Sequence, residues 1–573
     1  MNILGIANND VAGACLVRDG YVVSAVSEER FTRKKNDIVW PSRSIDHVLS
    51  IGGIDLNQVD CISYGWNSGF NAEKHLPLYF DRIVDETRDN LDGLLWIRKR
   101  INDEIRNDKQ KRQEFDEFLT KHNLIDKAFY IDHHECHALG AFVCSPFNDA
   151  LVITCDGRGD FQSLTVSRYS EGGCEVLQRE TTIDSLGYFY GRITHLLGFK
   201  PNRHEGKVTG LAPYGNPEKL LPLMQRMIDI KDGGLRANCG DNYQPSYNGY
   251  SSSLKEIISR EKPEDVAAAA QQHMENILAD IVRRHIGTAG NENVCLAGGV
   301  FGNVKLNQRI QEVDRVNNVY VLPCMGDGGL PLAAAVGAAY LKDGTRYKNQ
   351  SMKLGPDAGG EQDNLAILEN EYPELMSYQP EDMITTLVEA LNNNQVLGVF
   401  KGKMEFGPRA LCNRSIIYHA ADADVNDWLN KRMGRTEFMP FAPVTALEHA
   451  SSCYLGWRED HVVSDSMTMT YDCHPELAER CPAVVHVDGT ARPQVIRPES
   501  DPFIHSLLLG WYQESGQPAL INTSFNKHEE PIVCDVRDAF DALRDRMVDF
   551  VVLSEKTLVW KKGENNMARL YFE

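Results

Sequence analysis

The stretch IDHHECHALGAF, residues 131–142, sets His133, His134, Glu135, Cys136 and His137 side by side before the chain turns small and apolar. His133 and His137 are four apart, so on a helix they share one face with Cβ atoms about 6 Å apart, a spacing that suits chelation of one metal ion. His134 points elsewhere. Two neutral imidazoles hold a hard or borderline cation weakly, so the site needs carboxylates. Asp156, after the apolar run LVITC, and Asp327, within MGDGG, are the candidates, because a strand end and a glycine turn both deliver a side chain to a cleft. A His2Asp2 set leaves coordination positions open for oxygens of a ligand. A zinc-protease reading fails, since glutamate does not follow the first histidine, and Cys136 lacks the cysteine partner a structural zinc site requires.

Three glycine turns could approach phosphate. CLAGGVFGNVKLN, residues 295–307, has the order strand, glycine turn, helix, which aims backbone N–H groups and a helix N-terminus at an anion. GRGD and GDGG share its plasticity, and together the three favour a nucleotide over ordinary tight turns. RHEGKVTGLAPYG, residues 203–215, adds Glu205 and Lys207 in a glycine-bounded loop. Further on, KGKMEFGPRALCNRSI carries Lys401, Lys403, Arg409 and Arg414 in a stretch too apolar for a solvated basic surface. Arg435 in KRMGRTEFMPFAPV and Arg492 in GTARPQVI join them, and ALINTSFNKHEEPIV ends a strand in Thr523, Ser524 and Asn526. Arginines beside hydroxyl and amide groups describe an anion pocket for phosphate or carboxylate oxygens.

These groups must be positioned by an α/β scaffold. NILGIA, GACLV and YVVSAV read as three short strands, and ALVITC, SLTVSR and CEVLQRE repeat the plan beyond residue 150, which predicts a duplicated architecture with the ligand between its halves. Residues 71–127 are charged with apolar positions at helical spacing, a helical excursion on the surface. NVCLAGG and NVYVLPCMGDGG each lead from strand through glycine turn to helix. The glycine- and amide-rich residues 351–375 read as a linker, dividing a domain 1–350 from a second α/β unit, 376–573, that starts with the helix-like MITTLVEALNNNQ and strand-like VLGVF. The 573-residue chain has a formal charge of −21, which disfavours nucleic acid and anionic membrane as partners. It contains no apolar run of the roughly 18 residues needed to span a bilayer. Its N-terminus has no export signature and its 14 cysteines form no C-x-x-C pair, so a cytoplasmic location with reduced thiols is expected.

Six motifs, SEERFTRKKND, DHHECHALGAF, EGKVTGLAPYG, MEFGPRALCNRS, TEFMPFAPV and NTSFNKHEEPIV, together resemble the nodulation-type O-carbamoyltransferases, in the family's order and over nearly the whole chain. The resemblance implies an N-terminal domain of the actin and sugar-kinase superfamily and a C-terminal domain similar to threonylcarbamoyl-AMP synthases. It implies that the C-terminal domain makes carbamoyl-adenylate from carbamoyl phosphate and ATP, and that the N-terminal domain transfers the carbamoyl group to a hydroxyl. A divalent metal, usually iron, would be held by His133, His137, Asp156 and Asp327, with magnesium accompanying ATP. Gly298, Gly299, Asn303, Lys207 and Gly328 would hold the nucleotide. Arg409, Arg414, Arg435, Arg492, Ser524 and Asn526 would hold carbamoyl phosphate, with Arg414 and Lys403 also taking part in the chemistry.

Two departures from the family stand out. Asn9-Asp10 replaces the His-Asp common in the first turn, and an asparagine cannot take a proton from the acceptor, so transfer is expected to rely on Asp10 or on the substrates themselves. Met439 stands where many relatives have arginine, which shifts weight to Arg435. Competing readings are a small-molecule kinase of the actin-like superfamily and a degenerate paralogue that only binds nucleotide or carbamoyl-adenylate. The expected partner is a small-molecule alcohol, a sugar or other secondary metabolite, and a homodimer is left open.

Overall fold

The computed structural model of the chain describes residues 1–8, 10–67, 72–87, 90–240, 243–246, 249–287, 292–348, 351–434 and 439–563. They form two compact units. The first comprises Met1–Val23 and Ile38–Lys348, the second Ser24–Asp37 and Asn349–Glu573.

The first unit is built on two five-stranded sheets with one plan. In the first sheet the spatial order is Tyr21–Ser27, Gly13–Arg18, Asn2–Ala7, Cys61–Tyr64, Ala128–Tyr130. In the second it is Gly173–Thr181, Gln162–Ser170, Ala150–Gly159, Glu292–Ala297, Val316–Val321. Each begins as an antiparallel meander whose first strand is flanked on its other side by parallel strands. The parallel additions require crossovers, and here these are helical. This is the duplicated architecture expected from the two strand triplets. The central strands are buried on both faces, which fits their near-continuous apolar runs.

Two helices bring the halves of the duplication together. His133–Cys144 and Leu330–Asp343 pack through small residues. A Cβ on Gly140 would lie 2.6 Å from the Cβ of Ala333, so only glycine lets the two backbones approach this closely. That contact fixes the N-terminal turn of the first helix near the turn preceding the second. The excursion at 71–127 is two helices, Ala72–Thr87 and Leu91–His122, the latter capped by Asn90, which accepts from Gly93 N at 2.8 Å, and ended by Asn123 at φ 57°. It is not a purely surface feature. Glu104 and Asp108, one turn apart, are only 1% and 2% exposed.

In the second unit a mixed eight-stranded sheet runs Leu375–Tyr378, Leu558–Lys561, Phe550–Val552, Leu397–Phe400, Arg414–His419, Ala519–Ser524, Ala442–Ala446, Gln494–Ile496. Helices Met383–Asn392 and Pro502–Ser515 pack Leu387, Leu391, Leu507 and Trp511 into its core. Two expectations are corrected. Residues 351–375 are not a linker, because Lys353–Asp357 pairs antiparallel with Lys403–Glu405 and Glu361–Glu371 is a helix. Residues 24–37, expected in the first domain, belong to the second unit: Ser24 Oγ donates to Leu354 O at 3.1 Å, Arg30 to Gly407 O at 3.2 Å and Arg33 to Ile532 O at 2.8 Å. Among the described residues no helix is long and apolar enough to cross a membrane.

Candidate functional site

His133 and His137 lie in the first two turns of their helix and are fully buried. Asp156 comes from the strand Ala150–Gly159 and Asp327 from the turn before Leu330–Asp343. One donor atom from each of the four lies within 4.8 Å of all the others. His137 Nε2 is 3.5 Å from Asp156 Oδ2 and 3.4 Å from Asp327 Oδ1, and His133 Nε2 is 3.6 Å from Asp327 Oδ1 and 4.0 Å from Asp156 Oδ2. These separations are long for direct hydrogen bonds. They match ligands around one ion, since donors at about 2.1 Å from a tetrahedral centre stand about 3.4 Å apart. Neither ring nitrogen of His133 has a hydrogen-bond partner. Two buried imidazoles facing two carboxylates therefore fit a divalent cation.

Burial opposes a charged His137, yet its contacts to Asp156 and Asp327 outweigh that and lift it to about 9. Burial would likewise raise Asp156, but His133 and His137 hold its carboxyl well below the ordinary range. His134 is turned away as expected, with Nδ1 2.7 Å from Thr154 Oγ1, and burial pushes its basicity well down.

The turns that carry the cluster depend on glycine. A Cβ on Gly159 would meet the His133 ring at 2.0 Å, so the ring occupies space that a side chain would fill. Gly298 adopts φ 101°, and a Cβ there would sit 2.2 Å from Cys155 O. Next to it Gly299 N donates to Asp156 Oδ2 at 3.0 Å, and Gly328 backs onto Val11. Of the expected nucleotide residues, Gly298, Gly299 and Gly328 thus gather at the cluster. Asn303 joins a different grouping: it caps the helix Val304–Gln311, accepting from Leu306 N at 3.1 Å, and its Nδ2 donates to Gln271 Oε1 at 2.8 Å and Thr209 Oγ1 at 3.3 Å. Lys207 is buried on the same short helix as Thr209.

Asp10 borders the cluster. Its side chain is solvent-accessible, but it sits in a recess where surrounding protein, then Asp327 and Asp156, push the carboxyl up to about 6 against the pull of Arg158 and His133. Asn9 lies outside the described residues, as does Arg435.

The basic residues of the second unit divide into two kinds. Arg414, expected to contact phosphate and to take part in catalysis, is fully buried, and its Nη1 and Nη2 are engaged by backbone carbonyls. Its Nη1 donates to Lys401 O at 2.7 Å, Gly402 O at 3.1 Å and Asn413 O at 3.0 Å, its Nη2 to Pro356 O at 3.3 Å, and its guanidinium lies 4.0 Å from the centre of the Phe400 ring. It pins the strand to its neighbouring loops. Lys401 pairs with Asp501 at 2.9 Å, and Lys403 stands exposed on its short strand.

Arg409 and Arg492 differ. Both side chains are partly exposed, yet surrounding protein lowers Arg409 to about 10 and, together with Arg409, drives Arg492 well below the usual arginine range. Among the described residues Arg492 has no carboxylate partner. A guanidinium without a carboxylate partner beside a second one suits an anion.

Sequence reasoning missed the residue that sets this pair. Asn522, buried in the strand Ala519–Ser524, donates to Gln494 Oε1 at 2.6 Å and Ala410 O at 3.2 Å, tying together the two loops that carry Arg492 and Arg409. A polar residue in the otherwise apolar run ALIN is the signal. Ser524 ends that strand half-buried, and Asn526 donates to Lys527 O at 2.7 Å and Glu530 O at 2.9 Å, shaping the following turn.

Comparison with known proteins agrees with this division. Residues 2–340 match the family described as carbamoyltransferase N-terminus, and residues 388–561 the family described as carbamoyltransferase C-terminus. An uncharacterised protein of Methanocaldococcus jannaschii is 31% identical over 566 residues, covering 96% of this chain and 98% of its own. The nodulation protein U of Rhizobium tropici is 31% identical over 568 residues, covering 92% and 91%. Among solved structures, a full-length HypF in its phosphate- and nucleotide-bound form aligns with 61% of this chain and 47% of its own at 12% identity and a TM-score of 0.33, too slight a likeness to carry an argument. With both signatures in order, one spanning the histidine and aspartate cluster and the other the paired arginines, the chain belongs to the carbamoyltransferase family and is a carbamoyltransferase.

Proposed function

We propose that the protein is an ATP-dependent O-carbamoyltransferase that works through carbamoyl-adenylate. The carrying observation is the pairing of Arg492 with Arg409 in one unit and the His2Asp2 cluster in the other. In the second unit carbamoyl phosphate, ATP and water give carbamoyl-adenylate, phosphate and pyrophosphate. Arg409 and Arg492 hold the phosphate oxygens and offset the charge that develops, with Ser524 and the turn shaped by Asn526 beside them. The carbamoyl carbon is a poor electrophile because nitrogen donates into it. Exchange of phosphate for AMP keeps it activated and adds a nucleotide whose binding orients it.

In the first unit the acceptor hydroxyl attacks the carbamoyl carbon, and AMP leaves. The glycine turns at 298–299 and 328 admit the nucleotide close to the backbone, and Lys207 and Asn303 belong to its outer contacts. His133, His137, Asp156 and Asp327 would hold a divalent cation, iron on the family resemblance, which supplies Lewis-acid polarisation when bound. Asp10, with its carboxyl at about 6, is ionised at neutral pH and takes the proton of the hydroxyl. The acceptor is a small-molecule alcohol, a sugar or secondary metabolite, and the setting cytoplasmic. A kinase would leave the paired arginines of the second unit without a ligand.

The test is pyrophosphate release by the purified protein with ATP, carbamoyl phosphate and magnesium. Release that requires carbamoyl phosphate and yields a carbamoyl-adenylate mass supports the reading. Binding of ATP with no such turnover moves the protein to the degenerate, binding-only class.

A further inference from the structure

The GRGD turn carries Arg158, which neither the cluster nor the arginine pocket accounts for. Arg158 is two residues beyond Asp156 on the same strand, at the point where its pairing with Gln162–Ser170 slips between Cys155 and Gly159. Its guanidinium lies 5.5 Å from the centre of the Trp66 ring, and Trp66 meets His133 edge-on with ring centres 4.3 Å apart. Arg158 is therefore one aromatic ring removed from a ligand of the cluster, and its charge acts on Asp10.

Its anchor comes from the helical excursion. Arg158 Nη1 is 2.6 Å from Asp108 Oδ1, while Asp108 Oδ2 is buried without a partner. Arginine–carboxylate pairs are frequently bidentate, whereas this one is a single contact. Asp108 holds Nη1, Tyr188 and Glu104 also act on the charge, and part of the side chain stays exposed. Arg158 keeps 21% of its side-chain surface exposed, against 3% for Asp108, 1% for Glu104 and 13% for Arg100 in the same charged group. Asp156 and Asp327, at 18% and 12%, share that degree of opening.

Electrostatics gives the open cation a task. Two aspartates offset a divalent cation in full and Asp10 adds a further negative charge; the Arg158–Asp108 pair adds no net charge, but its guanidinium is the more exposed partner and the one able to face an incoming phosphate. We propose that Arg158, anchored by Asp108, binds the phosphate of the carbamoyl donor's adenylate in the first unit. This rests on the carbamoyl-adenylate reading above. The helical excursion thereby contributes to donor binding through Asp108 as a positioning residue.

The test pairs removal of the guanidinium with removal of the phosphate. Affinities for AMP and for adenosine are measured by calorimetry on the full-length protein, in an Arg492→Ala background that weakens phosphate binding in the second unit, with and without Arg158→Ala and Arg158→Lys. The expected result is a loss of tenfold or more in AMP affinity in Arg158→Ala with adenosine affinity unchanged within twofold, and a partial loss in Arg158→Lys; Tm falls in Arg158→Ala, where buried Asp108 loses its partner, and is retained in Arg158→Lys. Equal losses for both ligands would make Arg158 structural and overturn the proposal, as would an AMP affinity that does not move. Failure of the Arg492→Ala protein to bind either ligand, with its Tm intact, would instead overturn the nucleotide reading of the first unit, and this proposal with it.

Discussion

Arg414 and Arg492 sit in neighbouring motifs of one unit and are predicted to fail in opposite ways. Arg414→Met removes four hydrogen bonds to backbone carbonyls in a site with no solvent exposure. A hydrogen bond from a charged donor contributes about 1.5–3 kcal/mol, but such contributions do not add, and breaking a buried charged network costs about 3–5 kcal/mol in all. For a unit of this size about 1 kcal/mol moves Tm by roughly 2–4 °C, so a fall of roughly 10 °C is expected. Arg492→Met removes a charge already facing Arg409 and lacking a carboxylate. It should leave Tm unchanged or raise it, and abolish pyrophosphate release that depends on carbamoyl phosphate. Calorimetric scans and the pyrophosphate assay on both variants decide the matter. An Arg414→Met protein that melts with the wild type yet loses the reaction would refute the reasoning and return Arg414 to the ligand site.

Gly159→Ala should displace His133, because the new Cβ would fall 2.0 Å from its ring, so metal retained after desalting, measured by elemental analysis, drops while carbamoyl phosphate-dependent pyrophosphate release persists. Glu180 is 3% exposed, and burial first of all raises its carboxyl to about 7 from 4.5. A raised carboxyl contributes stability that is complete below about pH 4.5 and lost as pH rises through about 7, so wild type should lose up to about 3 kcal/mol more than Glu180→Gln between pH 5 and 8 in denaturant unfolding. Gly298→Ala, forced to φ 101° with a Cβ 2.2 Å from Cys155 O, should lower Tm and release Asp156 from its Gly299 contact, read as weaker metal retention.

The histidine cluster was legible because helical spacing alone puts His133 and His137 on one face, and because a strand end and a glycine turn limit which aspartates can reach it. The strand triplets were legible by their apolar runs and turns. Cys61–Tyr64 and Ala128–Tyr130 escaped notice, since four and three residues are too few to show a period. The burial of Arg414 was not legible because a row of basic residues does not say which one lies inside. The fully buried run RSIIYH that it opens becomes evident only once the sheet closes on both sides. The membership of residues 24–37 in the second unit is a long-range contact pattern that no local periodicity encodes.

Under the proposed function one unit makes the carbamoyl-adenylate and the other consumes it. The most direct test is to follow carbamoyl-adenylate by mass spectrometry in Asp327→Asn and Arg492→Ala proteins supplied with ATP and carbamoyl phosphate. The Asp327→Asn protein is expected still to form the adenylate and the Arg492→Ala protein to form none. Normal adenylate formation by Arg492→Ala, or its loss in a folded Asp327→Asn protein, would contradict that reading.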